Sequence, residues 1–351
     1  MSLDRVVAHF EEQAAFCVEY GSLFTGALIL CAAADIKAGG PVAGLVSDWP
    51  SNPRADALAL RLAGALHAAV LMRRDPALAA RYPAAAPAWS MDEVWPAARA
   101  FVERDQGWVR NFLKSPPQTN ETRRAIALLA GFLAFAQTWR GPIDTLEIGA
   151  SAGLNLNWDR FRYRTASWAW GADSAVSIDT DWHGAPPPLP EISVRNRAGC
   201  DLNPLDIRDP DARLQLKAYI WPDQPERLAR FDGAVALALA HDTRVERADA
   251  AEWLVQKLAA RADDAATIVY HSVFLQYPPR EARDAIVAAI NAAGAQATAE
   301  APLAWVRLEP EAVTDGVMNG LRFVIDLTTW PGGARRILGY TDGHVRAVYA
   351  A

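Results

Sequence analysis

Glu147-Ile-Gly149-Ala-Ser151-Ala-Gly153 decides how this chain is read. The apolar run Thr145–Ile148 leading into it has the length and composition of a buried strand, and it stops at two glycines and three other small residues. A strand that runs into a glycine-rich turn is the opening unit of sheets in which helices alternate with parallel strands. Such sheets bind ligands beyond the carboxyl ends of their strands. Small residues in the turn let a ligand approach the backbone closely, with amides available to meet it.

Downstream the text keeps alternating. Tyr163–Trp182 mixes aromatic and small residues as a β-hairpin excursion, and Ala185–Pro190 is a proline-rich loop. Ile192–Cys200 is a second strand stopping at Asp201, and Thr243–Ala248 a third stopping at Asp249. Thr267–Phe274 is the clearest buried strand, and Leu303–Leu308 follows the helical text of Pro279–Ala293. Leu321–Thr329 and Arg335–Tyr340 flank Pro331-Gly332-Gly333 as a terminal hairpin. The pattern predicts an α/β fold with a mostly parallel sheet. Its last strand is antiparallel, because the last connection is too short for a crossover.

Upstream, the texture is helical. Arg54–Arg74 carries Leu58, Leu62, Leu66, Val70 and Leu71 at helical spacing with Arg61 off that stripe, and Met91–Leu113 and Thr119–Trp139 repeat the style, the latter with Thr119 as N-cap. The expected organisation is an all-helical domain over 1–140 and an α/β domain over 141–351, the first serving as lid and substrate side.

Composition narrows the function. The chain has 351 residues with 35 Lys+Arg against 41 Asp+Glu, a formal charge of -6, and its arginines are scattered. That argues against a nucleic-acid or anionic-membrane surface and for a small-molecule substrate. The longest uncharged runs, Ala125–Trp139 and Ser22–Ala34, are shorter than a membrane span. Three cysteines without pairing pattern and a start lacking an apolar leader point to a reduced, cytoplasmic setting. Six histidines without ligand spacing predict no metal site.

The acid-x-Gly-x-small-x-Gly pattern resembles the first motif of class I S-adenosylmethionine-dependent methyltransferases. The resemblance implies a Rossmann-like, methyltransferase-type sheet in which Glu147, Gly149, Ala150, Ser151 and Gly153 take the methionine and ribose portion of S-adenosylmethionine. It further implies that Asp201 takes the ribose hydroxyls and that Asp249-Ala250 lies beside the adenine. His271, near the end of the fourth strand of that half, is a candidate base or acceptor contact. Glu121 is its counterpart from the helical side, with Asn120 and Tyr277 as substrate contacts. Each has a plainer reading: the glycines as packing points, Asp201 as a turn former, Asp249 and Thr119 as caps, His271 as a core residue. Trp158, Trp168, Trp170 and Trp182 are candidates to wall a pocket or to fill the core.

The same stretch spells Gly-x-Ser-x-Gly, the nucleophile elbow of α/β-hydrolases. Ser151 is then the nucleophile, with Asp249, Asp315 or Asp326 and His271 or His344 completing a triad. The helical text upstream offers no strand to complete the oxyanion hole, so this reading ranks second. A non-catalytic nucleoside- or metabolite-binding protein of the same fold is the third.

Longer motifs identify a relative. Gln118-Thr-Asn-Glu121, Glu147–Leu156, Gly199-Cys-Asp-Leu-Asn-Pro-Leu-Asp206, Trp221-Pro-Asp-Gln224, His271-Ser272 and Trp330-Pro-Gly-Gly333 resemble the bacterial domain-of-unknown-function family numbered 2332. The resemblance implies the fold and carries no assigned activity.

Overall fold

The computed structural model describes residues 3–316 and 322–351. Leu321, with which the expected terminal hairpin begins, lies outside the described residues. The chain divides into two compact units: Met1–Thr119 with Arg208–Phe231, and Asn120–Ile207 with Asp232–Ala351. The division therefore differs from the boundary drawn at 140 on composition, for two physical reasons. The helix Ala125–Phe135 is apolar on every side and serves as the cover of the sheet. The segment 208–231 is bonded into the helices of the first unit.

The first unit holds α1 (Leu3–Glu19), α2 (Leu23–Lys37), α3 (Pro41–Val46), α4 (Leu58–Leu71), α5 (Pro76–Ala79), α6 (Met91–Arg104) and α7 (Gln106–Phe112). The returning segment adds α9 (Pro210–Ala218). One apolar core runs through them, including Phe10, Phe24, Leu62, Phe101 and Trp221. His67 Nδ1 lies 3.1 Å from the Ala218 carbonyl, Tyr219 Oη donates to the Ser115 carbonyl at 2.8 Å, and Asp223 accepts from Ser22 Oγ and the Phe24 amide at the start of α2. The single helix expected over Met91–Leu113 is two. It breaks at Asp105, whose carboxylate takes Arg74 and Arg104. Arg61, expected on the solvent side of its helix, is buried. Its guanidinium donates to the carbonyl of Asp56 and to those of Leu113 and Lys114 just past the end of α7, and lies over Trp49.

The second unit holds α8 (Ala125–Phe135), β1 (Ile143–Ile148), β2 (Arg162–Arg164), β3 (Ala169–Trp170), β4 (Ser177–Asp179), β5 (Asp181–His183), β6 (Val194–Asp201), β7 (Glu246–Arg247), α11 (Ala250–Ala259), β8 (Ala266–Ser272), α12 (Arg280–Ala295), β9 (Leu303–Pro310), α13 (Glu311–Thr314), β10 (Phe323–Trp330), β11 (Ala334–Thr341) and β12 (Ala347–Ala350). Helix α10 (Pro225–Ala240) carries the chain back from the first unit. The main sheet has nine strands in the order β5-β12-β11-β10-β9-β8-β1-β6-β7. From β7 to β9 every pair is parallel; β9, β10, β11 and β12 pair antiparallel in succession, and β5 joins β12 in parallel.

Consecutive residues on a strand face opposite ways, and β9 shows what covers each side. Val306 packs against Gly131 of α8, where an added Cβ would come within 2.4 Å of the valine, while Trp305 belongs to the core beneath α11 and α12. The single hairpin expected over Tyr163–Trp182 is a three-stranded sheet, β3-β2-β4, since β2 pairs on both of its edges. The expected third strand shrinks to the two exposed residues of β7.

Candidate functional site

Chain order along the sheet reverses at β1. The chain moves outward from β1 through β6 to β7, then crosses back to β8 on the other side and on to β9. Loops leaving the carboxyl ends of β1 and β8 diverge there, which makes it the crevice where such sheets take ligands.

The loop after β1 is a tight left-handed turn: Gly149, Ser151 and Gly153 have φ of 67°, 55° and 74°. Gly149 and Gly153 are also fixed by packing, since a Cβ would meet the Phe274 ring at 2.3 Å at the first and Val245 at 2.8 Å at the second. The plainer reading of the glycines is thus part of the answer. Most loop amides are used internally: Ala150 donates to the Cys200 carbonyl, Ser151 to Asp201 Oδ2 at 2.9 Å, Gly153 to the Ala150 carbonyl and Leu154 to Asn120 Oδ1 at 2.9 Å. Asp201 sits at the end of β6, half-buried, and its other oxygen accepts from the Asn203 amide. Each carboxylate oxygen of Asp201 therefore keeps a lone pair. Ser151 Oγ is buried and has no hydrogen-bond partner among the described residues.

Beneath the turn, Glu147 is almost fully buried on β1 and accepts from Tyr270 Oη at 3.3 Å. Burial, reinforced by the charge of Asp201, holds its carboxyl well above the ordinary carboxylate range, against the opposing pull of the Tyr270 hydrogen bond. The carboxyl beneath the loop is therefore biased towards its neutral form. Tyr270 Oη also reaches the Asn155 carbonyl at 3.4 Å, and Asn155 Nδ2 donates to the Glu121 carbonyl at 3.3 Å.

Asn120 and Glu121 thus do lie beside the residues that follow the glycine turn. Asn120 Oδ1 caps the 3-10 helix Leu154–Arg160, and the Glu121 carboxylate accepts from the Arg123 amide at 3.0 Å. That makes Glu121, and not Thr119, the cap of this stretch, which starts as the 3-10 turn Thr122–Arg124 before α8. Asp249 is the N-cap of α11. Its Oδ1 accepts from the Ala251 and Glu252 amides at 2.9 and 3.2 Å, and Ala250 is the buried first residue of that helix. Tyr277 is 73% exposed, and its amide donates to the carbonyl of Phe274.

His271 corrects the expectation of a base. It is wholly buried in β8, with Nδ1 2.6 Å from Glu309 Oε1, and the Trp305 indole donates to Nε2 at 3.0 Å. An indole N–H only donates, so Nε2 is the bare nitrogen and Nδ1 carries the proton towards Glu309. Neither nitrogen is available to a substrate. The hydrolase triad loses its base by the same observation. His344 lies in the turn between β11 and β12, at the far side of β8, β9 and β10 from β1 in the order of the sheet. Asp326 is buried between Arg307 and Arg335, and Asp315 pairs with Arg335. Ser151 keeps the left-handed φ of an elbow without the buried His271 as its base.

Sequence reasoning missed Glu309, which has no motif around it. One of its oxygens accepts from His271 and from the Phe274 and Leu275 amides at 2.8 and 3.2 Å. It thereby pins the loop after β8, where Val273 has φ of 54°. Of the tryptophans, Trp158 is core, stacked on Phe132 at 4.0 Å, with Trp170 beyond it, and Trp168 meets Trp182 edge to face. Burial pushes the Cys200 thiol up to about 12, so it is no nucleophile. Among the described residues no cluster of three His, Cys, Asp or Glu side chains is placed to hold a metal ion. No helix among them is long and apolar enough to cross a membrane.

Comparison with protein families matches residues 7–349 to a family described as an uncharacterized protein conserved in bacteria, DUF2332. The chain belongs to this family. The match spans both units, so the helical residues 7–119 are part of the family's common architecture and not an appendage to the sheet. Comparison with curated proteins and with solved structures gives no match.

Proposed function

We propose that the chain binds S-adenosylmethionine at the carboxyl edge of β1, β6 and β8 and transfers its methyl group to a small molecule. The observation that carries this reading is the 2.9 Å hydrogen bond from the Ser151 amide to Asp201, which brings the glycine turn and the acid of the next strand together at the crevice. The donor set fits the cofactor. Asp201 has lone pairs left for a ribose diol, and Asp249 Oδ2 has no partner among the described residues beside the start of α11. The buried Ser151 hydroxyl is unsatisfied, a state that ordinarily costs about 1–3 kcal/mol and that a ligand group would relieve.

In this reading Asp201 holds the ribose, Ser151 and the Gly149–Gly153 backbone line the methionine portion, and Asp249-Ala250 flank the base. The bound group supplies an electrophilic methyl on a sulfonium. The chain's own part is to orient and to exclude water, and such a transfer asks mainly for alignment. Glu121 and Asn120 act through position, by fixing the first residues after the turn. The engaged state of His271 favours one variant, a protein that binds the nucleoside without turnover.

A thermal-shift titration of the purified chain with S-adenosylmethionine, S-adenosylhomocysteine and NAD tests the reading. At about 100 times its dissociation constant a ligand adds about 2.7 kcal/mol of stability. A rise in Tm with the two sulfur nucleosides alone, abolished in Asp201→Ala, is the expected result. No rise with either, or a rise that survives Asp201→Ala, overturns it. Binding without methylated product in a metabolite extract selects the non-catalytic variant.

A further inference from the structure

The first unit contains a cleft of about 410 Å³ between the start of α1 and the loop that precedes α4. Arg5, His9 and Glu12 line it from α1, spaced three and four residues apart on one helical face, and Ser51, Asn52 and Arg54 line it from the loop. Its floor is built: Pro53 is buried and His9 is only 5% exposed.

His9 is the telling residue. The Ala59 amide, in the first turn of α4, donates to His9 Nε2 at 3.3 Å. That bond makes Nε2 the acceptor and leaves the ring proton on Nδ1. Nδ1–H then has no partner among the described residues, on a nearly buried side chain that lines the cleft. Burial lowers the imidazole's pKa, with Glu12 opposing and Arg54 assisting, so the ring presents a neutral N–H at pH 7.

The rim adds positive charge. Arg5 is exposed and forms no hydrogen bond or ion pair among the described residues. Arg54 meets Glu12 only at 3.5 Å with both side chains largely in solvent, a contact worth little. The loop itself is set: Asn52 Oδ1 accepts from the Arg54 and Ala55 amides, and Ser51 donates to Asp56, whose carboxylate also takes the Trp49 indole. Asp56 is thus turned into its own hydrogen bonds, and Glu12 is the one acid among the described residues that line the cleft. Two arginines and the His9 imidazole line the cleft with one carboxylate opposing them, on a chain whose overall charge is -6.

We propose that this cleft binds a small oxyanion, the phosphate or carboxylate group of a metabolite, held by Arg5 and Arg54 and oriented by His9 Nδ1–H. Planar guanidinium forks suit either group, and the neutral donor at the floor selects an anion that arrives with its own charge. The site lies wholly in the first unit and does not depend on the reading of the sheet crevice.

The test is calorimetric titration of the full chain with potassium phosphate and with potassium malonate, at constant ionic strength against potassium chloride. One saturable site is expected, weakened at least tenfold in the double variant Arg5→Gln, Arg54→Gln; both side chains are exposed, so the variant folds. In the same titration the His9 imidazole ¹⁵N signal moves in the unmodified chain. Saturation by phosphate alone assigns the cleft to phosphorylated metabolites, and saturation by malonate alone to carboxylates. Absence of saturable heat with both anions overturns the proposal, as does equal affinity in the double variant.

Discussion

Two loops leave the sheet on either side of the point where strand order reverses, and they solve the same problem differently. After β1 the backbone turns left-handed at Ser151, and after β8 it does so at Val273, with φ of 55° and 54°. Each turn is pinned by a carboxylate at the end of the neighbouring strand, Asp201 on β6 and Glu309 on β9. Asp201 is half-buried and ties down a single amide of its turn. Glu309 is fully buried and ties down two amides and an imidazole. The first loop is restrained at its edge and left with unspent hydrogen-bonding capacity. The second is held through one oxygen of Glu309, whose other oxygen is buried and has no partner among the described residues. The difference separates a surface that can take a ligand from a wall that positions it: the Phe274 ring, carried by the clamped loop, is what lies against Gly149.

Breaking the clamp is expected to have the largest effect. Glu309→Ala leaves two amides and the Nδ1–H of His271 without acceptors in a dry core, and each such loss costs about 1–3 kcal/mol. We expect a loss of about 3 kcal/mol or more in urea unfolding. Glu309→Gln, which keeps one acceptor oxygen, should lose less. A loss under about 1 kcal/mol for the alanine variant would show that the loop after β8 is not held from below.

The comparison also has a pH signature. Glu147, under the β1 loop, has its carboxyl held above the ordinary carboxylate range by burial and by the charge of Asp201. A folded-state pKa above the unfolded one means the native state binds more protons, so stability is greatest in acid and falls as pH rises through the interval. The slope for one such group is at most about 1.4 kcal/mol per pH unit. Chemical denaturation of Glu147→Gln, compared with the unmodified chain between pH 5 and 8, should show the variant gaining ground as pH rises. Parallel curves would mean that Glu147 is ionised and solvated.

This contrast explains what could be read in advance. The β1 loop was legible because its geometry demands small residues, and small residues at fixed spacing leave a pattern. Asp201 was legible because it ends a recognisable strand. The clamp was not legible, because Glu309 and His271 are 38 residues apart and look like any polar residues on buried strands. Val273 was hidden more deeply still, since a β-branched residue is the last type expected at positive φ. Arg61 was misplaced for the opposite reason: spacing puts it off the apolar stripe, and only the carbonyls of Leu113 and Lys114 justify its burial. The domain boundary moved because the apolar content of Ala125–Phe135 tells that the helix is covered but not what covers it.

Asp201→Ala sharpens the comparison from the exposed side. It removes the acceptor of the Ser151 and Asn203 amides, both near water, so the stability loss should be only about 1 kcal/mol. Binding is the sensitive readout here: under the proposed function the Tm rise with S-adenosylmethionine disappears while the fold survives. A variant that unfolds like Glu309→Ala would erase the distinction between the two carboxylates.

The smallest effect is expected at Ser151, and its sign is informative. Glycine adopts a φ of 55° without the steric cost a serine bears, and Ser151→Gly also deletes a buried hydroxyl that has no partner. Glycine's greater freedom in the unfolded chain takes back part of that gain. The balance favours the variant by a few tenths to about 1 kcal/mol. The same change at Val273 removes a buried isopropyl group worth about 1.5–3 kcal/mol, so there the balance runs towards destabilisation. Opposite signs at two residues with nearly equal φ would mean that the β8 turn is strained to serve packing, whereas the β1 turn is strained to present a hydroxyl. If Ser151→Gly instead destabilises, the hydroxyl has a partner in the native protein. The unsatisfied oxygen at the crevice would then no longer support a ligand there.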